Sequence, residues 1–119
     1  MEKVNIAEKL SKFATHWDPK VVGELNGQMV KLVKFLGPFT WHSHANEDEM
    51  FYVVKGEFDM EFRDRTVHLG TGEFIVVPRG VEHRPNAQAE VHVMLFEPAA
   101  TLNTGNVVNE LTKATLQRI

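Results

Sequence analysis

The segment from Gly37 to Gly56 constrains the fold most strongly, because it places three potential metal ligands close together. His42 and His44 are two residues apart, and side chains at i and i+2 of an extended strand leave the same face about 7 Å apart. The polar stretch 45–48 allows the chain to turn back, and Glu49 then opens the next strand. Two imidazoles and one carboxylate can therefore converge, and this ligand set suits Fe, Mn, Ni, Zn or Cu.

A second segment, Gly72 to Asn86, offers one more ligand. A predicted strand from Glu73 to Val77 ends at Pro78, and Gly80 allows a tight turn. His83 follows that turn three residues later. It is a candidate fourth ligand that arrives from a different part of the fold.

The spacing of these residues resembles the two sequence motifs of the cupins. The first motif, G-x4-H-x-H-x4-E-x6-G, is matched by Gly37, His42, His44, Glu49 and Gly56. The second motif, G-x5-P-x-G-x2-H, is matched by Gly72, Pro78, Gly80 and His83. The first motif usually has five residues before its first histidine rather than four, and Asn86 follows His83 by three residues rather than four. Neither departure falls on a ligand position.

The resemblance implies an all-β fold, the cupin double-stranded β-helix or jelly-roll barrel. It implies one divalent transition metal at His42, His44, Glu49 and His83, a small-molecule ligand, and a homodimer. Cupins include dioxygenases, isomerases, decarboxylases, sugar-modifying enzymes and non-catalytic binding proteins. Small single-domain members are often compared with mannose-6-phosphate isomerase.

Two other carboxylates compete with Glu49 for the role of acidic ligand. Asp48 fits a shorter spacing that the family also allows, but glutamate is the usual acid at this point, which favours Glu49. Glu47 is expected in the loop, or as an outer acceptor for an imidazole N–H.

The remaining histidines and two arginines have less specific roles. His16 and His68 are expected at the surface, away from the metal. His92 is expected either to line the site or to be a hydrogen-bonded core residue. Arg79 and Arg84 flank His83, and each either meets an anionic ligand at the barrel mouth or is an ordinary surface residue.

Composition narrows the class of protein. The 119 residues predict one domain, divided into an N-terminal helix and loop (1–20), a barrel (21–98) and a C-terminal tail (99–119). The net charge of −3 offers no basic patch for nucleic acid. The absence of cysteine fits a reducing cytoplasm, and no apolar run approaches the 20 residues that a membrane span needs.

Local patterns predict the elements around the site. A helix is expected at Asn5–Phe13, capped by Asn5 and covering one end of the barrel. Asn26-Gly27 predicts a type I′ hairpin, and the run Phe74–Val77, apolar on both faces, predicts a central strand. The other predicted strands are Val21–Leu25, Gln28–Phe35, Phe39–His44, Glu49–Lys55, 57–62, 67–69 and Glu90–Phe96.

Periodicity leaves the tail open, because Val107–Ile119 fits a strand, a short helix or an arm on a neighbouring subunit. Open sheet edges in so small a barrel favour a homodimer, and the helix and tail are the segments expected to reach across. Three functions remain: a metal-dependent enzyme acting on a small oxygen-bearing metabolite, a non-enzymatic metal-dependent binding or sensing module, and a structural dimer module. No general base beyond the ligands stands out in the sequence.

Overall fold

The computed structural model describes residues 1–119, which form one short helix and seven strands. The helix, α1, spans Ile6–Leu10. The strands are β1 (Lys20–Leu25), β2 (Gln28–Pro38), β3 (Glu49–Lys55), β4 (Glu57–Phe62), β5 (Thr66–Gly70), β6 (Phe74–Val77) and β7 (His83–Pro98). The prediction of an all-β fold with a short N-terminal helix is confirmed.

Strand β7 organises the barrel, because its 16 residues pair with three other strands. Its first residues pair with β4, its later residues pair with β3, and β2 runs beside it along most of its length. All of these pairings are antiparallel, in the order β1-β2-β7-β3-β6, with β4 and β5 joined through β7. The sheet curls around one apolar core, to which Phe35, Phe51, Phe58, Val93 and Leu95 belong.

The turn between β1 and β2 confirms the predicted hairpin. Asn26 and Gly27 have φ values of 51° and 77°. Both residues are therefore left-handed, as a type I′ turn requires, and this turn matches the right-handed twist of the strands that it joins.

Strands β3 to β5 alternate as their sequences predict. Phe51, Val53, Phe58, Met60 and Leu69 are buried on the inner face. The intervening residues are exposed or only partly buried. Apolar and polar residues alternate along these strands because one face of each strand lies against the core and the other faces outward.

Two predicted strands are wrong in extent. Phe39–His44 is not a regular strand, although Phe39 N donates to Pro85 O and His42 is paired with His83. Pro85 has no N–H to return to Phe39, so the ladder is interrupted there. Strand β7 starts at His83 rather than Glu90. The sequence did not predict residues 83–89 as a strand because they include a proline and several polar residues, and pairing with distant strands stabilises them.

The prediction that Phe74–Val77 is a central strand is also wrong. Strand β6 pairs only with β3, at the edge of the sheet. Phe74 and Val76 are 60% and 50% exposed. The second apolar face of this strand is therefore open to its surroundings rather than covered by another layer.

The helix is shorter than predicted but begins as expected, since the Asn5 side chain accepts a hydrogen bond from Glu8 N. Its buried residue Leu10 lies beside Lys34, Val54 and His92, on the outside of β2, β3 and β7. It covers this outer face and not an end of the barrel. The five-residue helix does not approach the length of a bilayer span, and no helix here is long and apolar enough for one.

The C-terminal tail folds back on its own chain. Residues 101–113, the C-terminal loop, pack beside the segment that carries His42: Asn106 N donates to Ser43 O, and Ser43 N donates to the Asn106 side chain. Further on, Ile119 N donates to Val21 O and covers the edge of β1. The tail forms neither a regular helix nor a regular strand.

Gly105 should be the most sensitive position of the C-terminal loop. Its φ is +55°, and an added Cβ would lie 2.2 Å from Ser43 O. We expect Gly105→Ala to lower the free energy of unfolding by at least about 2 kcal/mol more than Gly72→Ala, measured by denaturant titration. Gly72 is the matched control, because its φ is +84° but nothing lies within 4 Å of an added Cβ. Equal losses in the two variants would mean that the loop does not pack against Ser43.

Candidate metal centre

Backbone pairing brings two of the predicted ligands together. His42 N donates to His83 O over 3.1 Å, and His83 N donates to His42 O over 2.9 Å. The two imidazole rings lie 4.2 Å apart between centroids. Gly80 N also donates to His44 O, which ties the turn before His83 to the strand segment that carries the other histidines.

Glu49 supplies the carboxylate from the first position of β3. It shares the inner face of that strand with Phe51 and Val53. Its Oε1 lies 3.2 Å from His44 Nε2 and 3.6 Å from His83 Nε2. One carboxylate oxygen therefore faces two imidazole nitrogens.

The four predicted ligands form one buried cluster. One ligand atom from each of His42, His44, Glu49 and His83 lies within 4.8 Å of the other three. All four residues are buried, and they could hold a single metal ion. Three imidazoles and one carboxylate leave room in the coordination sphere of a divalent ion for a further ligand.

The hydrogen bonds around the cluster fit a metal site. His42 Nδ1 donates to Thr40 O and His83 Nδ1 donates to Val81 O, so Nε2 of each ring is free to act as a ligand. For His42 and His83, backbone carbonyls thus fill the role of the outer acceptor predicted for Glu47, whereas His44 Nδ1 is buried without a hydrogen-bond partner. His44 Nε2, Glu49 Oε1 and His83 Nε2 are buried without a hydrogen-bond partner. Such an atom costs about 1–3 kcal/mol, and a shared cation would satisfy all three.

The electrostatics keep the cluster ready for a cation. Burial, together with the nearby His83, lowers the pKa of His42 to about 4, so His42 is neutral at pH 7. Burial alone would raise the pKa of Glu49, but contacts with Glu97, His44 and His83 hold that pKa well below its ordinary value. At pH 7 the cluster therefore offers a neutral His42 imidazole and an ionised Glu49 carboxylate, the forms that bind metal.

A small cavity of about 30 Å³ adjoins His42 and Glu49. This space holds about one or two water molecules. Trp17 closes one side of it, stacked on Phe35 and Phe39 with ring centroids 4.4 and 4.6 Å away. Its other lining residues are mostly apolar: Pro19, Val33, Phe51, Pro85, Leu95 and Asn103.

The competing carboxylate and the two arginines lie outside the cluster. Asp48 is exposed and accepts a 2.8 Å hydrogen bond from Arg79 N, with the Arg79 Nε 3.3 Å away. Arg84 is paired with Glu61 at 2.7 Å. Both arginines therefore have carboxylate partners on this chain.

The other histidines are also outside the cluster. His16 Nε2 lies 2.7 Å from Glu90 Oε2, and His68 Nδ1 lies 2.8 Å from Asp59 Oδ1 at an exposed position. His92 is on the outer face of β7, 3.1 Å from Glu90 Oε1. It therefore neither lines the cavity nor belongs to the core.

Sequence reasoning missed two buried charged residues behind Glu49. Lys31 and Glu97 are each 1% exposed, and their side chains meet at 2.6 Å. Strand parity was the available signal, because Lys31 lies two residues from the inward Val33 and Glu97 lies two residues from the inward Leu95. Each charged residue therefore shares the inner face of its strand. The charge of both residues obscured that signal, since lysine and glutamate are rarely buried unless they are paired.

Comparison with known proteins decides the family. Residues 36–97, just over half of the chain, match the family described as the Cupin domain. The chain belongs to the cupin family. This cupin is 45% identical to a cupin-2 domain containing protein from Shewanella frigidimarina, whose crystal structure superposes with a TM-score of 0.79. That match covers 80% of this chain and 93% of the other, and these relationships support the jelly-roll barrel.

Two further relatives have similar sequences. The cupin is 30% identical to protein NMB1881 from Neisseria meningitidis, with a TM-score of 0.76, over 82% of this chain and all of the other. It is also 36% identical over 64 residues to YdbB, an uncharacterized Bacillus subtilis protein. These 64 residues are 53% of this cupin and 57% of YdbB. The match thus spans little more than half of that curated relative's length.

The depressed pKa of His42 predicts how stability depends on pH. Below pH 6.5 the unfolded chain binds a proton at His42, whereas the folded chain does so only near pH 4. The metal-free protein should lose about 2 kcal/mol of unfolding free energy through His42 between pH 7.5 and 5. Denaturant titrations in the presence of EDTA should show that His42→Gln loses less unfolding free energy between pH 7.5 and 5 than the parent does. His68→Gln serves as a control that should not reduce this loss, because Asp59 raises the pKa of His68 in the folded chain and His68 therefore stabilises the fold as the pH falls. A loss in His42→Gln equal to that of the parent would contradict the burial of a neutral His42.

Proposed function

We propose that this cupin binds one divalent transition metal through His42, His44, Glu49 and His83 and uses it to act on a small oxygen-bearing metabolite. The observation that carries the proposal is the set of three unpartnered polar atoms that converge inside a buried cluster. Fe, Mn, Ni, Zn and Cu all accept such ligands. A bound ion supplies a Lewis acid with an open coordination position.

Charge and cavity size narrow the substrate class. Three neutral imidazoles and one carboxylate leave one positive charge on a divalent ion, which favours an anionic oxygen such as a carboxylate or an enediolate. The cavity beside His42 is small and largely apolar. The proposal therefore favours a compact metabolite whose oxygen-bearing head enters the cavity, and the rest of the molecule would have to displace Trp17 or the C-terminal loop.

A sugar phosphate, by analogy with mannose-6-phosphate isomerase, is less favoured. Recognition of phosphate commonly uses arginine side chains that are free to bind it. Arg79 and Arg84 are instead paired with Asp48 and Glu61. The likeness to that enzyme rests on fold alone, and fold does not determine function.

A metal-dependent binding or sensing module is the second candidate. The observation that favours it is that Glu97, the one additional carboxylate beside the cluster, is bonded to Lys31 and does not line the cavity, so it does not reach a substrate as a general base. Turnover of any compound in a panel of small carboxylates and hydroxyketones would support an enzyme. Saturable binding without turnover would support the module.

We also propose that the cupin forms a homodimer through the face of β6. The edge of β1 is covered by the tail, whereas β6 has no strand on its other side. Phe74 and Val76 project from this edge beside Met50 and Tyr52 of β3. A second copy related by a two-fold axis would cover the same apolar side chains on both subunits. Neither the helix nor the tail needs to reach across in this arrangement.

Metal content tests the site directly. The parent protein, purified without a nickel column, should bind one ion per chain at pH 7, and alanine variants of His42, His44, Glu49 and His83 should each lose it. Bound metal should raise the unfolding free energy by about 2.7 kcal/mol at a hundredfold excess over Kd. Affinity should fall as the pH is lowered toward about 4, where a proton competes with the metal for His42. Elemental analysis and thermal unfolding provide the measurements.

His16→Gln and His68→Gln are the matched controls, because both histidines lie outside the cluster. Both should keep the parent's metal content. A parent that binds no metal at neutral pH, or four alanine variants that retain it, would leave a cupin-shaped domain whose polar cluster serves another purpose.

Light scattering at micromolar concentration tests the dimer. Phe74→Glu should give a mass near that of one chain, because it places like charges on both sides of the proposed interface. Val108→Glu is the control, since Val108 is 81% exposed but lies in the C-terminal loop. A monomeric parent, or a Phe74→Glu variant that remains dimeric, would refute the proposed interface.

A further inference from the structure

Three charged side chains lie in a row across the inner face of the barrel. Glu49 stands on β3, Glu97 on β7 and Lys31 on β2. Strand β7 lies between the other two, and the register places Phe96 opposite Met50 and Glu97 opposite Met29. The exposed fractions of Glu49, Glu97 and Lys31 are 3%, 1% and 1%. The row is therefore sealed from solvent.

Contacts join the row into a chain. Lys31 Nζ donates to Glu97 Oε1 over 2.6 Å. The antiparallel register that sets Phe96 opposite Met50 places Glu97 across from Glu49 on the neighbouring strands, and Glu97 Oε2 is buried without a hydrogen-bond partner. Glu49 in turn directs Oε1 toward His44 and His83. Lys31 thus reaches the metal cluster through two carboxyl groups, although neither it nor Glu97 belongs to that cluster.

Stability does not account for this arrangement. Removing two charges from water is costly, and well-packed apolar residues often replace a buried ion pair without loss of stability. Val33, Val93 and Leu95 line the same inner face, so apolar side chains suit this environment. A buried charged pair that ends on a metal-binding carboxylate instead matches the way outer groups orient metal ligands.

We propose that Lys31 and Glu97 are a positioning pair that holds the Glu49 carboxyl with Oε1 toward the imidazoles, and so sets the affinity and selectivity of the site for divalent metals. The proposal rests on the function proposed above for the four-residue cluster. Lys31 holds Glu97 in place through its hydrogen bond, and Glu97 restricts the rotation of Glu49. Both residues act through Glu49 rather than on a substrate.

Metal competition against a chromophoric chelator tests the pair, with Mn²⁺ and Ni²⁺ as probes. The double variant Lys31→Met/Glu97→Met replaces both charges with unbranched apolar side chains. We expect a 10- to 100-fold loss of Mn²⁺ affinity and a smaller loss for Ni²⁺, because nickel binds imidazole well whereas manganese depends more on the carboxylate. A purely structural pair would not change the ratio of the two affinities.

Lys34→Met is the matched control. Lys34 is a second buried lysine on β2, but it lies on the outer side of the sheet and donates to Phe13 O. This variant should keep both affinities within about twofold of the parent. A folded double variant with unchanged Mn²⁺ and Ni²⁺ affinities would overturn the proposal.

If the double variant does not fold, the Glu97→Asp variant tests the positioning pair instead. Aspartate keeps the charge but withdraws the carboxyl by one methylene, so it should lower Mn²⁺ affinity at least fivefold and Ni²⁺ affinity less. Unchanged affinities in a folded Glu97→Asp variant would overturn the proposal. The parent protein is measured first, so a parent that binds neither ion identifies a failure of the metal-site proposal rather than of the positioning pair.

Discussion

The pair of backbone hydrogen bonds between His42 and His83 is the interaction on which the site depends. These bonds join the irregular segment after β2 to the start of β7, and they hold the two imidazole rings 4.2 Å apart. Two further contacts stabilise this junction: Gly80 N donates to His44 O, and the C-terminal loop forms hydrogen bonds with Ser43. Main-chain contacts therefore set the positions of the three histidines.

The interior combines an apolar core with a localised group of charges. Phe35, Phe51 and Trp17 exclude water from the side of the cluster, which strengthens every electrostatic interaction inside it. Lys31 and Glu97 lie behind Glu49, so the buried acidic and basic side chains in this part of the barrel lie next to one another. The barrel thus concentrates its unsatisfied polar atoms at one point, where a cation can satisfy them.

The candidate ligands were predictable because their signal is local. His42 and His44 share a face by spacing, Glu49 shares the parity of Phe51, and each motif glycine or proline marks a turn. The type I′ hairpin at Asn26-Gly27 was predictable for the same reason, because both residues tolerate positive φ. The sequence does not decide between the two roles of Arg79 and Arg84, since only the structure gives each of them a carboxylate partner.

By itself, the sequence determined the alternation of the strands, the turn chemistry and the convergence of His42, His44 and Glu49, all of which depend on neighbours a few positions away. His83 comes from a separate stretch, and the resemblance of the second motif to the cupins is what adds it to the set. The tertiary structure alone decided the length of β7, the edge position of β6, the course of the tail and the burial of Lys31 beside Glu97. These features depend on pairing between distant strands. Hydrophobic periodicity carries no information about which strands meet, because it reports only which face of a strand is apolar.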